Sequence, residues 1–272
     1  MIRGRRVLIR LGATPLLLAL LLLDAAGPVA LAGETRADGD GAPTVPARVL
    51  AVYPHDPAAF TQGLAFADGL LYEGTGLYGR STLRAVEPAS GRVLRRVALP
   101  ASLFGEGITL WQGQVIQLTW RAGRILRWTM GGFEPAGELR LQGEGWGLTA
   151  DGRHWIVSDG SAWLYFLDPA DGRELRRVQV LDGGRPLARL NELEYVDGEV
   201  WANIWHQDLI ARIDPSRGRV LGYLDLSQLW PMAQRPSREA VLNGIAHDPA
   251  TGTVYVTGKL WPHLFRIAVS KD

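Results

Sequence analysis

Phe104-Gly105-Glu106-Gly107-Ile108-Thr109-Leu110 sets one carboxylate between two glycines, just ahead of an apolar, strand-like run. Backbone without side chains leaves room for a ligand beside that acid, and the mouth of a buried strand is where a general acid or base is useful. The same arrangement, one unusual residue ahead of a strand-like anchor, recurs as Gln62-Gly63-Leu64, Trp146-Gly147-Leu148, Asn191-Glu192-Leu193 and Asn243-Gly244-Ile245. The anchors at 63, 107, 147, 192 and 244 stand 44, 40, 45 and 52 residues apart, a period that indicates propeller blades.

Between anchors, each unit reads as short apolar strands separated by turn signals. The first unit has Asp68-Gly69, Leu70-Leu71-Tyr72-Glu73, Leu83-Arg84-Ala85-Val86 and Ser90-Gly91. The third repeats this with Asp151-Gly152, Trp155-Ile156-Val157, Leu164-Tyr165-Phe166 and Asp171-Gly172, and the fourth with Asp197-Gly198, Val200-Trp201-Ala202 and Arg217-Gly218. Asp-Gly suits hairpin turns whose central positions need positive φ. Four strands per unit and five units predict an all-β, five-bladed β-propeller over residues 48–272, closed by Val49 to Tyr53 joining the last blade. Ser227 to Ala240, with Trp230-Pro231 and Arg235-Pro236, accounts for the long last step. It reads as an inserted loop, either a rim over one face or a plain surface excursion.

Outside the domain, Arg3, Arg5, Arg6 and Arg10 precede an apolar run from Leu16 to Leu23, and Ala30-Leu31-Ala32 offers small residues for cleavage. Residues 1–32 are therefore expected to be a signal peptide, and the chain to be periplasmic or secreted with no stable membrane anchor after cleavage. Asp24 interrupts the run short of the roughly 20 apolar residues that a spanning helix needs. Residues 33–47, rich in Gly, Asp, Ala and Pro, read as a flexible leader. Loss of the signal would move the formal charge from +1 to about −2, which gives no support to a nucleic-acid partner. With no cysteine, neither a lipid attachment nor a disulfide framework is available. A monomer is expected.

If the units are blades, equivalent positions converge. Gln62, Glu106, Trp146, Asn191 and Asn243 would ring one end of the central channel. Thirteen residues past the anchor lie Trp120 and Trp205, and a longer turn in the fifth unit moves the matching place to Lys259. A glutamate, a lysine, side-chain amides and three tryptophans would then share one pocket. Several of the ten tryptophans must simply pack between blades, and Glu106, Glu144 and Glu194 could each be an ordinary turn residue. Lys259 is more pointed, because 27 of the 29 basic residues are arginine. Its compact ammonium suits an oxygen that gains charge. The five histidines are scattered without paired spacing and there is no thiol, which gives a metal site little support. No Gly-x-Ser-x-Gly elbow or phosphate-binding glycine loop is present.

Phe60-Thr61-Gln62-Gly63-Leu64, Glu73-Gly74-Thr75-Gly76-Leu77-Tyr78-Gly79-Arg80-Ser81, Phe104-Gly105-Glu106-Gly107, Gly145-Trp146-Gly147-Leu148, Ser158-Asp159-Gly160, Leu190-Asn191-Glu192-Leu193-Glu194-Tyr195, Trp201-Ala202-Asn203-Ile204-Trp205, Leu242-Asn243-Gly244-Ile245 and Thr257-Gly258-Lys259-Leu260-Trp261-Pro262 follow one another in order. Over about residues 48–268 they resemble the plant and bacterial type of glutaminyl-peptide cyclotransferase. That resemblance implies a five-bladed propeller that converts an N-terminal glutamine of peptides or proteins to pyroglutamate, releasing ammonia and using no metal or other cofactor. It also implies that the acid/base glutamate is Glu106 and that Phe60, Gln62, Trp120, Trp146, Asn191, Trp205 and Lys259 line the pocket.

The residue types suit that chemistry. An α-amine, with a pKa of about 8 in water, must be neutral to attack its own γ-amide carbon, so a carboxylate such as Glu106 would take a proton and later return it to the leaving nitrogen. Lys259, Gln62 or Asn191 could stabilise the carbonyl oxygen as it gains charge. Trp120, Trp146 and Trp205 could hold the ring-closing conformer and exclude water, with Phe60 beside them. Dry walls should raise the pKa of Glu106 while the lysine opposes this. Two other classes compete: a propeller that binds peptide or sugar on stacking tryptophans without chemistry, and a metal-dependent propeller lactonase. The lactonase would want several carboxylates in the ring where this chain offers one.

Overall fold

Asp68-Gly69 (φ 52° and 78°) and Asp197-Gly198 (φ 49° and 93°) are left-handed at both positions, as the hairpin geometry requires. Gln112-Gly113 (φ 48° and 75°) makes the same turn without the Asp-Gly signature. The computed structural model describes residues 41–269, so the signal peptide expected at 1–32 lies outside the described residues, as does most of the leader.

The turns fold the chain into antiparallel sheets whose strands follow in sequence order. The first blade comprises Thr61–Ala67, Leu70–Thr75, Thr82–Glu87 and Arg92–Ala98. The second comprises Gly105–Trp111, Gln114–Thr119, Arg124–Thr129 and Pro135–Arg140, and the third Leu148–Ala150, Trp155–Val157, Trp163–Leu167 and Glu174–Gln179. The closing blade joins Leu242–Asp248, Thr253–Gly258 and His263–Ala268 to Arg48–Pro54, which pairs antiparallel with His263–Ala268.

The expected five-bladed propeller is corrected by the sheet topology: the all-β propeller arrangement has four four-stranded blades, and a seven-stranded sheet stands between the third and the closing one. Its hairpin ladder is Leu190–Val196, Glu199–Ile204, Leu209–Asp214 and Arg219–Asp225. Thr44–Pro46 and Leu181–Asp182 both add parallel to Arg219–Asp225, and Arg185–Pro186 pairs with Leu181–Asp182. These additions cover the outer edge that other blades leave open, so Val220, Tyr223 and Leu224 are buried. The leader expected at 33–47 thus ends inside a sheet. Tyr223 N–H donates to the Pro43 carbonyl (2.8 Å), Ala42 N–H to Asp182 Oδ1 (2.7 Å) and Ala47 N–H to the Asp225 carbonyl (3.1 Å).

The first strands of the sheets pack on one another in cyclic order. Glycine at the anchor makes that approach possible. A Cβ on Gly107 would sit 2.6 Å from the Leu148 backbone nitrogen of the next blade, and one on Gly147 would overlap the Asn191 carbonyl. The one anchor that is not glycine, Glu192, uses its carboxylate as the tie. It accepts from Leu64 N–H (3.1 Å) and Ile245 N–H (2.9 Å), so it links the seven-stranded sheet to the first and closing blades. Apolar side chains fill the spaces between neighbouring sheets, with Trp155 and Trp261 fully buried among them.

The 227–240 insert carries a single 3-10 turn, Met232–Gln234. Arg235, with its side chain only 3% exposed, pins it by donating to Asp208 Oδ1 (2.7 Å) and to the Trp230 carbonyl, and it stacks 4.9 Å from the Trp261 ring centre.

Candidate active site

Each anchor strand that begins with a polar ring residue is interrupted by a β-bulge at that residue. Pairing register shifts between Thr61 and Gly63, between Gly105 and Ile108, between Leu190 and Leu193, and between Leu242 and Ile245. Gln62, Glu106, Asn191 and Asn243 fall inside these shifts. A bulge re-aims a side chain out of the alternating pattern, and here it does so in equivalent places around one axis. Trp146 reaches the same ring by a different route, just ahead of the strand Leu148–Ala150.

A second repeat supplies the walls. The residue after each second strand returns to the start of its own blade: Gly76 N–H to the Phe60 carbonyl (2.8 Å), Trp120 to Phe104 (3.1 Å), Trp205 to Arg189 (2.9 Å) and Lys259 to Val241 (2.9 Å). Leu77, His206 and Leu260, which follow three of these residues, are all left-handed (φ 88°, 62° and 61°), so the same turn presents different side chains. Where the third blade lacks such a residue, Gly160 keeps space: a Cβ there would lie 2.7 Å from Cη2 of Trp146.

A cleft of about 220 Å³ results, lined by Phe60, Gln62, Glu106, Trp120, Trp146, Asn191, Trp205 and Lys259, with Leu77, Phe104 and Glu239 completing it. All eight residues expected from the sequence are in it. Four larger clefts lie elsewhere among the described residues, and none of those four brings together a buried acid, a buried cation and indoles. Asn243 is the ring member that does not line the cleft. It is fully buried, and its Nδ2 donates to the Thr61 carbonyl (2.9 Å) and to Gln62 Oε1 (3.4 Å). Because that fixes which end of Gln62 is oxygen, its Nε2 faces Glu106 and donates to Oε1 at 3.2 Å.

Glu106 and Lys259 are 4% and 5% exposed, deep enough for desolvation to dominate both. Burial pushes Glu106 well above the ordinary carboxylate range; the Lys259 charge opposes this and the Glu144 charge adds to it. Burial pulls Lys259 down, with Glu106 and then Glu239 pulling the other way. Lys259 Nζ stands 4.9 Å from the centre of the Phe60 ring, a cation–π distance. The aromatic walls are locked edge to face. Trp146 meets Trp205 at 5.4 Å and 87°, and Phe104 meets Trp120 at 5.5 Å and 62°. A buried, raised carboxyl beside an ammonium and dry aromatic walls can exchange a proton with a small polar substrate and stabilise charge on its oxygen.

Sequence reasoning missed Phe104, Leu77, Glu239 and Glu144. Phe104 had a signal, because it precedes Glu106 by two residues as Phe60 precedes Gln62. Glu239 lies in the insert, which has no counterpart in the other units, and Glu144 resembled an ordinary turn acid. Among the described residues, no group of three or more His, Asp or Glu is arranged to hold a metal ion.

The glutamine cyclotransferase family model matches residues 19–269. A glutaminyl-peptide cyclotransferase of Arabidopsis thaliana is 39% identical over 227 residues, covering 82% of this chain and 71% of the plant protein. Glutaminyl cyclase of Myxococcus xanthus superposes with a TM-score of 0.79 at 37% identity, over 84% of this chain and 97% of that one. Likeness of this degree in both sequence and fold means that the chain belongs to the glutamine cyclotransferase family and is a cyclotransferase enzyme.

Proposed function

We propose that the enzyme acts on peptides or proteins that begin with glutamine, closing that residue to pyroglutamate and releasing ammonia by metal-free acid/base catalysis at Glu106. The observation that carries this reading is the placement of one buried, raised carboxyl in an indole-walled cleft sized for a single side chain. The neutral α-amine of the substrate bonds to the γ-amide carbon, the carbonyl oxygen gains charge, and ionised Glu106 takes one proton from the attacking nitrogen as that bond forms. Glu106 then returns this proton to the amide nitrogen. The carbon–nitrogen bond breaks and ammonia leaves. One group serves both steps because both nitrogens sit on the carbon being closed into the ring.

The oxygen needs a donor. Gln62 already spends one N–H on Glu106, whereas the Asn191 side-chain amide and the Lys259 ammonium have no hydrogen-bond partner within the described residues. Asn191 and Lys259 are therefore assigned to the oxygen. Trp120, Trp146, Trp205 and Phe60 hold the glutamine side chain folded back on its amine and keep water from hydrolysing the amide. The arginine-rich, apolar start supports a periplasmic or secreted site of action.

Ammonia release from a short glutamine-initiated peptide tests this, with chelator-dialysed wild-type protein beside Glu106→Gln. Activity in the wild type and a loss of at least 1000-fold in the variant are expected, on the order of what loss of an essential proton shuttle costs. Full activity in Glu106→Gln would move the shuttle to another residue. Activity lost on chelation and restored by added metal would overturn the metal-free mechanism.

A further inference from the structure

Two of the three wall indoles point their N–H groups at one carboxylate oxygen. Trp120 Nε1 donates to Glu144 Oε2 at 2.8 Å and Trp146 Nε1 donates to the same atom at 3.2 Å. The other oxygen, Oε1, accepts from Arg121 Nε at 2.9 Å, and the Arg121 guanidinium lies 4.0 Å from the Trp120 ring centre. Trp120 follows the second strand of the second blade and Trp146 precedes the third blade; their backbones are tied by Gly145 N–H donating to the Trp120 carbonyl (3.1 Å), and Glu144 is the side chain that ties their indoles. Trp120 also packs against Phe104, and Trp146 against Trp205.

We propose that Glu144 is a positioning residue for the reaction, clamping Trp120 and Trp146 into one rigid wall and placing a fixed negative charge behind Glu106. The reaction in question is the one read above. Burial would raise Glu144, but the donors Trp146, Arg121 and Trp120 outweigh it and lower it, which favours the ionised carboxylate. The charged and polar groups around Glu106 are Lys259 from the closing blade, Gln62 from the first blade, Asn191 from the seven-stranded sheet, Glu144 from the loop before the third blade, and Glu239 from the insert at the cleft's edge.

The single shared oxygen lets the two roles be separated. In Glu144→Gln the amide oxygen can occupy the Oε2 place and keep both indole bonds, while the charge and the arginine bond are lost. In Glu144→Ala both roles are lost. The expected result for Glu144→Ala is a KM for the glutamine peptide raised about tenfold or more as the wall loosens. Glu144→Gln should hold KM within about threefold, because a wall kept in place costs little. Both variants should move the acidic limb of kcat/KM to lower pH, since removing a negative neighbour makes Glu106 easier to ionise. Glu144→Asp should restore the limb. Independently of activity, 15N-tryptophan labelling should show two of the ten indole N–H resonances moving upfield in Glu144→Ala and staying near their wild-type positions in Glu144→Gln.

Unmoved indole resonances in Glu144→Ala would overturn the clamp, and an unshifted acidic limb in both neutral variants would overturn the electrostatic role. If the wild type releases no ammonia from any glutamine peptide, the functional reading fails instead, and the indole resonances still decide whether Glu144 clamps the wall.

Discussion

Lys259 and Glu144 act on Glu106 with opposite sign. In the mechanism proposed above Glu106 works as a base only when ionised, and burial delays that ionisation to higher pH than an ordinary glutamate would need. Lys259 brings it partly back by favouring the anion. Lys259→Met should therefore shift the acidic limb of kcat/KM upward, the reverse of the shift expected for Glu144→Gln. It should also lower kcat by about 100-fold, the usual effect of losing one oxyanion donor. Rate profiles of both variants across pH check this: shifts in the same direction would mean that the limb does not belong to Glu106. The tryptophans divide by environment in the same way. Trp155 and Trp261 are sealed in the core, whereas Trp120, Trp146 and Trp205 stay half-buried as walls of the cleft.

At the scale of the strand, the anchor glycine carries both packing and chemistry. It lets the inner strands touch, and that contact holds the bulge that aims Glu106. Gly107→Ala would drive a methyl against backbone of the neighbouring blade, at 2.6 Å from both Leu148 N and the Trp146 carbonyl oxygen, where no flexible side chain can give way. A loss of about 1–3 kcal/mol or more is expected from such overpacking. Gly131→Ala, where a Cβ meets nothing within 4 Å, is the matched control. Denaturant midpoints of the two variants decide it, and equal midpoints would refute the close-packing argument. The same constraint explains what the sequence disclosed. The 40–52 residue spacing was legible because every anchor but Glu192 had to be glycine, and the cleft followed because equivalent registers meet on one axis. The seven-stranded sheet was not legible. Leu181–Asp182 and Arg185–Pro186 are two residues each, and Thr44–Pro46 has Pro43 before it and ends in proline, so none of them shows a strand period. Glu144 was missed for a related reason: its meaning lies in Trp120, 24 residues away, and not in its own neighbours.

For the molecule as a whole, the ring holds only if its two ends stay joined, and His55 stands at that join. It directly follows the closing strand Arg48–Pro54, and its backbone N–H donates to the Pro262 carbonyl at 3.0 Å. Its ring nitrogens face the Trp261 carbonyl (2.6 Å) and Glu73 Oε1 (3.0 Å). Both partners only accept, so the ring must carry both protons to satisfy them. Burial pulls His55 down, yet the charge and hydrogen bond of Glu73 outweigh it and leave it raised. Burial would raise Glu73, but Arg84 and His55 hold it far below the ordinary range, and Thr61 Oγ1 donates a further bond at 2.7 Å. Glu73→Gln leaves two buried cations short of their partner, and a loss of about 3–5 kcal/mol is expected. Its pH dependence follows from the two directions of shift. The depressed Glu73 stabilises above the unfolded glutamate value and loses this as pH falls through its folded value. The raised His55 stabilises below the unfolded histidine value and loses this as pH rises through its folded value. Both contributions are complete between about pH 4.5 and 6.5, so the stability gap between wild type and Glu73→Gln should be widest there and narrow toward about pH 9. Arg84 stays charged throughout and keeps the gap from closing. Guanidinium unfolding of both proteins at about pH 6 and pH 9 measures this. A gap that is the same at both values, or wider at the higher one, would mean that His55 closes the ring as a neutral side chain.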